Sequence, residues 1–480
     1  MAVKESIDTV SMLKNALSVP PGAKYKRLAK ALEAGILSGD IGAGTKLLPQ
    51  RILADRLGVT VGTISRAYAE LERMGLVTAR VGDGTFVRQS GQETLRSQGF
   101  RNFVDEIPEW YDMSRNMHIP GPEISFLEES LRNLSGDTRK LHELMLYMPE
   151  AGAPRFRQAG AEWLSTDTFQ AHPEQTLCVN GGQHGLICTL MALLRAGDTV
   201  VTEQLTYPGL ISASRLLGIR LLGAAMDEEG LLPESLNELC QQHRVTALYC
   251  TPTLQNPTTA TLSPPRREAI ARICRQHNVL IIEDETHAVL VGGRALPLSH
   301  YAPERSILIG GLSKAVSAGL RVGYLHAPAA LVSRIASAIR ASCWMATPLA
   351  FELATQWIEN GTARELRQQQ VIEIRRRKEL VEGTLARLNY RTHPQCPHFW
   401  IEVPEPWRAS DIERDLRLKN LLIATAEAFA VGRAAVPQFV RASISNTTQD
   451  DRLLQSAFAT LADALQADGP ESEPGIAAQL

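Results

Sequence analysis

Residues 310–325 read GGLSKAVSAGLRVGYL, and this stretch decides what the larger part of the chain is. It continues an apolar run, residues 306–309, of the length of a buried strand. Lys314 then falls in a glycine-rich turn, with Ser313 before it and Arg321 seven residues on. An amine at the end of a buried strand can capture an aldehyde, and a hydroxyl beside a guanidinium makes a seat for an anion. The surrounding glycines allow the close backbone approach that such a seat requires.

Outward from that stretch, strand-like runs alternate with helical ones. Residues 176–179, 199–201, 247–250, 280–282 and 306–309 each precede a turn and then a helix. The alternation predicts an α/β body, a mostly parallel sheet with helices on both faces. The strand ends carry polar candidates. Gly181, Gly182 and Gln183 lie between a strand ending at Val179 and a helix expected to begin near Gly185, where free amides suit a phosphate. Asp284 follows a strand in NVLIIEDETHAVL; its carboxylate can keep a pyridine nitrogen protonated, or can simply cap a helix. Asn256, in TPTLQNPTTA, is either a donor to a ring oxygen or an ordinary Asn-Pro turn.

The N-terminal end has a different pattern. Apolar positions recur at helical spacing over residues 25–37, and a second amphipathic stretch, 51–57, is closed by Gly58. Thr60 can cap a third helix running to about Met74. Two short β-like runs follow, 76–79 and 85–88, joined by the loop 80–84. This is the pattern of a winged helix-turn-helix, in which the second helix of the motif offers its first residues to base edges. Those residues are Thr60, Val61, Gly62, Thr63, Ser65 and Arg66, with Arg51 opening the preceding helix and Arg80, Gly82, Gly84 and Thr85 in the wing.

Charge follows the same division. Residues 22–88 hold eleven Lys/Arg against six Asp/Glu, and the rest of the chain 39 against 46. A basic module on an acidic body points to a polyanion contact at the N-terminal end. The start has no signal-peptide profile, and no apolar run approaches the roughly 20 residues of a membrane helix, so a cytoplasmic protein is expected. The seven cysteines are scattered and never form C-x-x-C, which predicts reduced core thiols and no metal site.

The string LLPQRILADRLGVTVGTISRAYAELERMGLVTARVGDGTFV, residues 47–87, resembles the DNA-binding domain of the GntR family over almost all of residues 24–88. It departs at Leu48, where the related subfamily usually has a second proline. GGQHG, then YPG, QNP, EDE and the S-K…R pair resemble the fold-type I aminotransferases. With both on one chain, the protein resembles the MocR subfamily of GntR regulators. The resemblance implies a winged-helix domain (1–88), a linker (89–110), a pyridoxal-phosphate-binding, dimer-forming body with a smaller C-terminal α+β part (111–466) and a disordered tail (467–480).

It also implies residue roles. Lys314 is the Schiff-base lysine, Asp284 the pyridine partner and Asn256 the 3-oxygen partner, while Gly181, Gly182, Gln183, Ser313 and Arg321 hold the phosphate. Tyr207 falls where the family places an aromatic near the ring, or is a core tyrosine. Tyr147 matches a tyrosine that reaches the partner subunit's phosphate, and Arg441 one that forks onto the carboxylate of an amino acid. Two departures concern the chemistry: Thr286-His287 replaces the usual tyrosine, leaving His287 as the 3-oxygen partner, and Gly311 stands where a hydroxyl residue often helps bind phosphate. Both leave cofactor binding in place and weigh against efficient transamination. The resemblance thus implies a homodimeric regulator of double-stranded operator DNA. The cofactor, or an amine or amino acid forming an aldimine at Lys314, would modulate its grip. The alternative is a working aminotransferase with an accessory DNA-binding domain.

Overall fold

The computed structural model describes residues 10, 12–14, 16–17, 23–37, 41–42, 45–73, 76–80, 84–87, 111–293, 295–432, 435–446 and 450–467. The expected linker, 89–110, lies outside the described residues, as do Met74, Gly82, Arg88 and the tail beyond Ala467. The chain divides into two compact units, Met1–Ser97 and Gln98–Leu480.

In the first unit, α1 (Lys24–Leu37), α2 (Gln50–Leu57) and α3 (Val61–Arg73) precede a hairpin of β1 (Val77–Arg80) and β2 (Gly84–Val87). Helix α2 stops because Gly58 turns left-handed, with φ +62, and its N–H returns to Ala54 and Asp55. Helix α3 starts where the Thr60 hydroxyl accepts from the Thr63 N–H at 3.3 Å. Leu28, Leu32, Leu53, Leu57, Ile64, Tyr68 and Val77 share one core. A bridge from Lys46 to Phe86 adds a third chain to the hairpin. This is the winged helix-turn-helix that the sequence predicts.

The second unit is built on a seven-stranded sheet of β3 (Thr176–Val179), β4 (Thr199–Glu203), β5 (Arg220–Ala224), β6 (Val245–Cys250), β7 (Leu280–Asp284), β8 (Ser306–Gly311) and β9 (Gly323–His326), in the order β3-β9-β8-β7-β6-β4-β5. Only β9 runs antiparallel to its neighbours in this sheet. Most of the strands are buried end to end, as continuous apolar runs in a parallel sheet should be. Two of the boundaries that differ from expectation shape the site. Strand β8 includes Gly310 and Gly311, because both pair with β9. Helix α4 (Gly182–Leu193) begins three residues earlier than the expected Gly185, since Gly181, at φ +82, makes the turn by itself.

A smaller sheet, ordered β10-β11-β13-β12, comprises β10 (Tyr390–Arg391), β11 (His398–Glu402), β12 (Ala424–Thr425) and β13 (Phe439–Ser443), all antiparallel. Its Phe399, Ile401 and Val440 share a core with Leu366 and Ile374 of α5 (Thr362–Glu382) and Phe458 of α6 (Asp451–Gln466). The first described residues of this unit, Tyr111–Asp112, pair in parallel with Leu421–Leu422. The seven cysteines are free thiols. Among the described residues no helix is long and apolar enough to cross a membrane.

Candidate functional site

In parallel sheets the carboxyl ends of the strands form the ligand-binding edge. Lys314 follows β8 in a turn held by the Val316 N–H on the Leu312 carbonyl at 2.8 Å. Its Nζ donates to the main-chain oxygen of Asn116 at 2.6 Å. Burial, then the positive charge of Arg441, lowers the ammonium to about 8 against the opposing pull of Asp284. Ser313, beside it, is half-buried.

Arg321 returns across Gly181: a Cβ there would come within 2.5 Å of Arg321 Nη2 and displace the guanidinium, and the φ of +82 itself calls for glycine. Gly323 packs on the same turn, where a Cβ would lie 2.7 Å from the Gly181 carbonyl carbon. The guanidinium thus sits at the N-terminus of α4, and the two together favour an anion. Gln183 donates to the Gly209 carbonyl at 3.1 Å. Tyr207 lies against Gly209 among the charges of Asp284, Arg321 and Arg441, with its phenol pushed up by burial.

Asp284 ends β7 and is held by three donors. Tyr249 donates to Oδ2 at 2.8 Å, while the Thr286 N–H and hydroxyl donate to Oδ1 at 3.0 and 2.5 Å. Asn256 is buried, and its Oδ1 accepts from Arg441 Nη1 at 2.5 Å. Arg441, on β13, also donates through Nη2 to the Ser114 carbonyl and lies 4.9 Å from the Phe429 ring centre. His287 is buried near Lys314 and Arg441; burial and those two cations hold its imidazole well below the usual range, hence neutral.

The structure therefore brings Lys314, Arg321, Gly181, Gly182, Gln183, Tyr207, Asp284, Asn256, His287 and Arg441 to one edge. Tyr147 is on this chain's surface, 80% exposed, with its ring 5.5 Å from Trp344. Gly311 has a physical reason: a Cβ would meet the Val322 oxygen at 2.8 Å and the Gly323 Cα at 3.1 Å, so the hydroxyl residue of the family pattern has no room.

Sequence reasoning missed Tyr249, Ser114, Asn116 and His398. The last accepts from Asn116 Nδ2 at 2.7 Å and donates from Nε2 to the Pro257 carbonyl at 2.9 Å, because that oxygen can only accept. For Tyr249 the hidden information is register: β6 pairs Tyr249 with Ile282, which puts its hydroxyl two residues from Asp284 on the same face.

Several features test these residues against a phosphate-bearing pyridine aldehyde. Gly181 and Arg321 leave an anion cradle that any Cβ would fill. Asp284 offers an acid, and buried His287 Nε2 has no hydrogen-bond partner among the described residues. The donor and acceptor set fits that group.

On the first unit Arg51, Thr60, Gly62 and Arg66 are exposed, as is Gly84, while Thr63 and Thr85 are half-buried. The Ser65 hydroxyl is spent on Gln50 Oε1 at 2.6 Å, linking α3 to α2. Arg80 pairs with Gly84 at the wing's end.

The family described as Aminotransferase class I and II matches residues 126–456, and that described as Bacterial regulatory proteins, gntR family, matches residues 24–87. The chain is 28% identical to the HTH-type transcriptional regulator YdeF of Bacillus subtilis over 88% of its own length and 90% of the relative's. It is 25% identical to the HTH-type transcriptional regulator YdcR of Escherichia coli, covering 85% and 92%. An archaeal alanine:glyoxylate aminotransferase superposes with a TM-score of 0.69 at 19% identity, over 82% of this chain and 98% of that one.

Proposed function

We propose, from the premise that the chain belongs to the aminotransferase class I and II family and carries a gntR-family head, and so is a MocR-type regulator, that it controls transcription in the cytoplasm by coupling occupancy of the Lys314 site to its grip on double-stranded operator DNA. The observation that carries the coupling is a shared anchor. Lys314, suited to the cofactor's aldehyde, and Arg441, suited to the carboxylate of an amino acid, are both bonded to main-chain oxygens of one segment, at Asn116 and Ser114. In the sequence that segment follows the linker 89–110.

Pyridoxal phosphate is the cofactor, and when bound it supplies an aldehyde on an electron-withdrawing ring that captures primary amines. Lys314 offers the amine that holds it. Gly181, Gly182, Gln183, Ser313 and Arg321 would hold its phosphate, and Tyr147 of a second copy would reach the same group. Asp284, steadied by Tyr249 and Thr286, keeps a proton on the ring nitrogen. Asn256 and neutral His287 would face the ring oxygen, and Tyr207 would lie against the ring. An effector carboxylate forks onto Arg441 and displaces the Ser114 oxygen. A ligand shifts the equilibrium only by what it gains in one conformation over the other. Lys314, once its amine holds the cofactor, would free Asn116, and Arg441, once it takes the effector carboxylate, would free Ser114; these supply that difference. Arg51, Thr60, Gly62, Thr63, Ser65, Arg66, Arg80, Gly84 and Thr85 form the DNA face, with Ser65 holding α3 against α2.

Fluorescence anisotropy tests this, using full-length protein loaded with pyridoxal phosphate and the duplex beside its own gene. At least one of the twenty amino acids should change the affinity about 5- to 150-fold. Lys314→Ala should lose both that response and the absorbance band at about 400–430 nm. Duplex binding that ignores every amino acid and the loss of Lys314 overturns the reading. Steady-state turnover of amino and keto acids, with no effect on DNA, would make the body an enzyme instead.

A further inference from the structure

The edge of the large sheet opposite Lys314 carries an open cleft of about 620 Å³ into which Arg195, Arg220, Arg244 and His243 project. Each arginine belongs to a neighbouring strand. Arg195 lies four residues before β4, Arg220 opens β5 and Arg244 immediately precedes β6. Strands lie about 4.8 Å apart, so these starting points span roughly 10 Å. The loops that hold them are pinned: the Gly197 N–H donates to the Gly218 oxygen at 2.8 Å and the Arg220 N–H to the Asp198 oxygen at 2.9 Å. Asp198 is the acid in the cleft, and its Oδ2 accepts from the Arg195 backbone N–H at 2.8 Å.

None of these three guanidiniums forms an ion pair among the described residues. Further along the same edge Arg275 and Arg305 are both neutralised by Glu304, at 2.9 Å each. The charge of the cleft is also against the trend of the body, since residues outside 22–88 carry 39 basic and 46 acidic side chains. All three arginines are exposed, and the strands they precede or open lie side by side. A compact anion would want donors converging on a buried point; a row of exposed forks suits successive phosphates of a polymer.

We infer that this cleft is a second seat for the phosphodiester backbone of duplex DNA, formed by the cofactor-binding unit itself. It rests on the reading that the chain grips duplex DNA, and adds a sequence-independent contact to that grip. The contact positions the duplex and reads no bases.

The test uses full-length protein loaded with pyridoxal phosphate and a 60-base-pair duplex of arbitrary sequence, titrated at several salt concentrations. Replacing Arg195→Gln, Arg220→Gln and Arg244→Gln together should lower the log–log salt slope by about 2.7, or 0.9 for each of three phosphates. Between 50 and 200 mM salt the variant should therefore lose roughly 40-fold less affinity than the parent. The matching set Arg195→Lys, Arg220→Lys and Arg244→Lys keeps the charge and should keep the slope. An unchanged slope in the glutamine set, with its cofactor absorbance intact, overturns the second seat alone. A slope unchanged toward DNA together with lost binding of sodium tripolyphosphate would assign the cleft to a free polyanion and also overturns it. A parent protein that binds no duplex at any salt fails the DNA reading itself, and the second seat with it.

Discussion

Lys314 and Asn116 are 198 residues apart in sequence and joined by one hydrogen bond, from the lysine ammonium to the asparagine's main-chain oxygen at 2.6 Å. The asparagine side chain is fixed in turn by His398. Replacing Asn116 with alanine removes that tether but leaves the main-chain oxygen. The variant should shift the effector-free protein toward its effector-bound DNA affinity by about 1 kcal/mol, roughly fivefold. Amides of residues 111–117 should also exchange faster with deuterium. Unchanged exchange would mean that the segment is held by other contacts.

The lowered Lys314 value sets a pH window. Its amine is neutral above about 8, whereas the unfolded chain keeps that proton to the model-peptide value of 10.5. Capture of added pyridoxal phosphate by apoprotein should accelerate through a midpoint near pH 8 and level off above it. Between the two values the unfolded chain binds more protons, so the lysine's contribution makes stability rise with pH. A capture midpoint above pH 10 would show that neither burial nor Arg441 acts on this amine.

Asp284 should be the costliest acid to neutralise. Asp284→Asn removes a charged hydrogen-bond partner, worth about 1.5–3 kcal/mol, and should weaken cofactor binding roughly 10- to 100-fold. Tyr249→Phe leaves the charge and removes one donor, so about 2- to 10-fold is expected. Equilibrium titration of the absorbance band gives both numbers. The reverse ranking would separate Asp284 from the cofactor.

Restoring the family's hydroxyl at position 311 should fail. Gly311→Ser drives a Cβ to within 2.8 Å of the Val322 oxygen, in a strand pair with no flexible side chain to yield. Overpacking of this kind costs about 1–3 kcal/mol. A melting curve should move down while cofactor affinity does not improve. An unchanged melting temperature would mean the β8–β9 pair gives way easily.

How much of this was legible in the sequence depended on whether a residue acts through its own segment. The places of Lys314, Asp284 and Arg66 could be read because each lies in or just beyond a strand or helix whose local pattern is strong. The helix at Gly182 was placed late, since a run containing two glycines and a histidine hides a first turn that tertiary packing on Gly323 stabilises. Tyr249, Ser114 and His398 could not be read at all. Their partners lie 35, 327 and 282 residues away, and only the register of paired strands and the route of the chain bring them together.

The anchor points at Ser114 and Asn116 stand two residues apart, yet they answer to different chemical groups. Capture of the cofactor's aldehyde by the Lys314 amine would loosen only the oxygen on Lys314, and a carboxylic acid only the one on Arg441. Each would leave the strap fastened at its other end. Cofactor and carboxylate together would undo both fastenings, which would make the segment a coincidence detector: the response to a carboxylate-bearing effector should be larger in cofactor-loaded protein than in apoprotein.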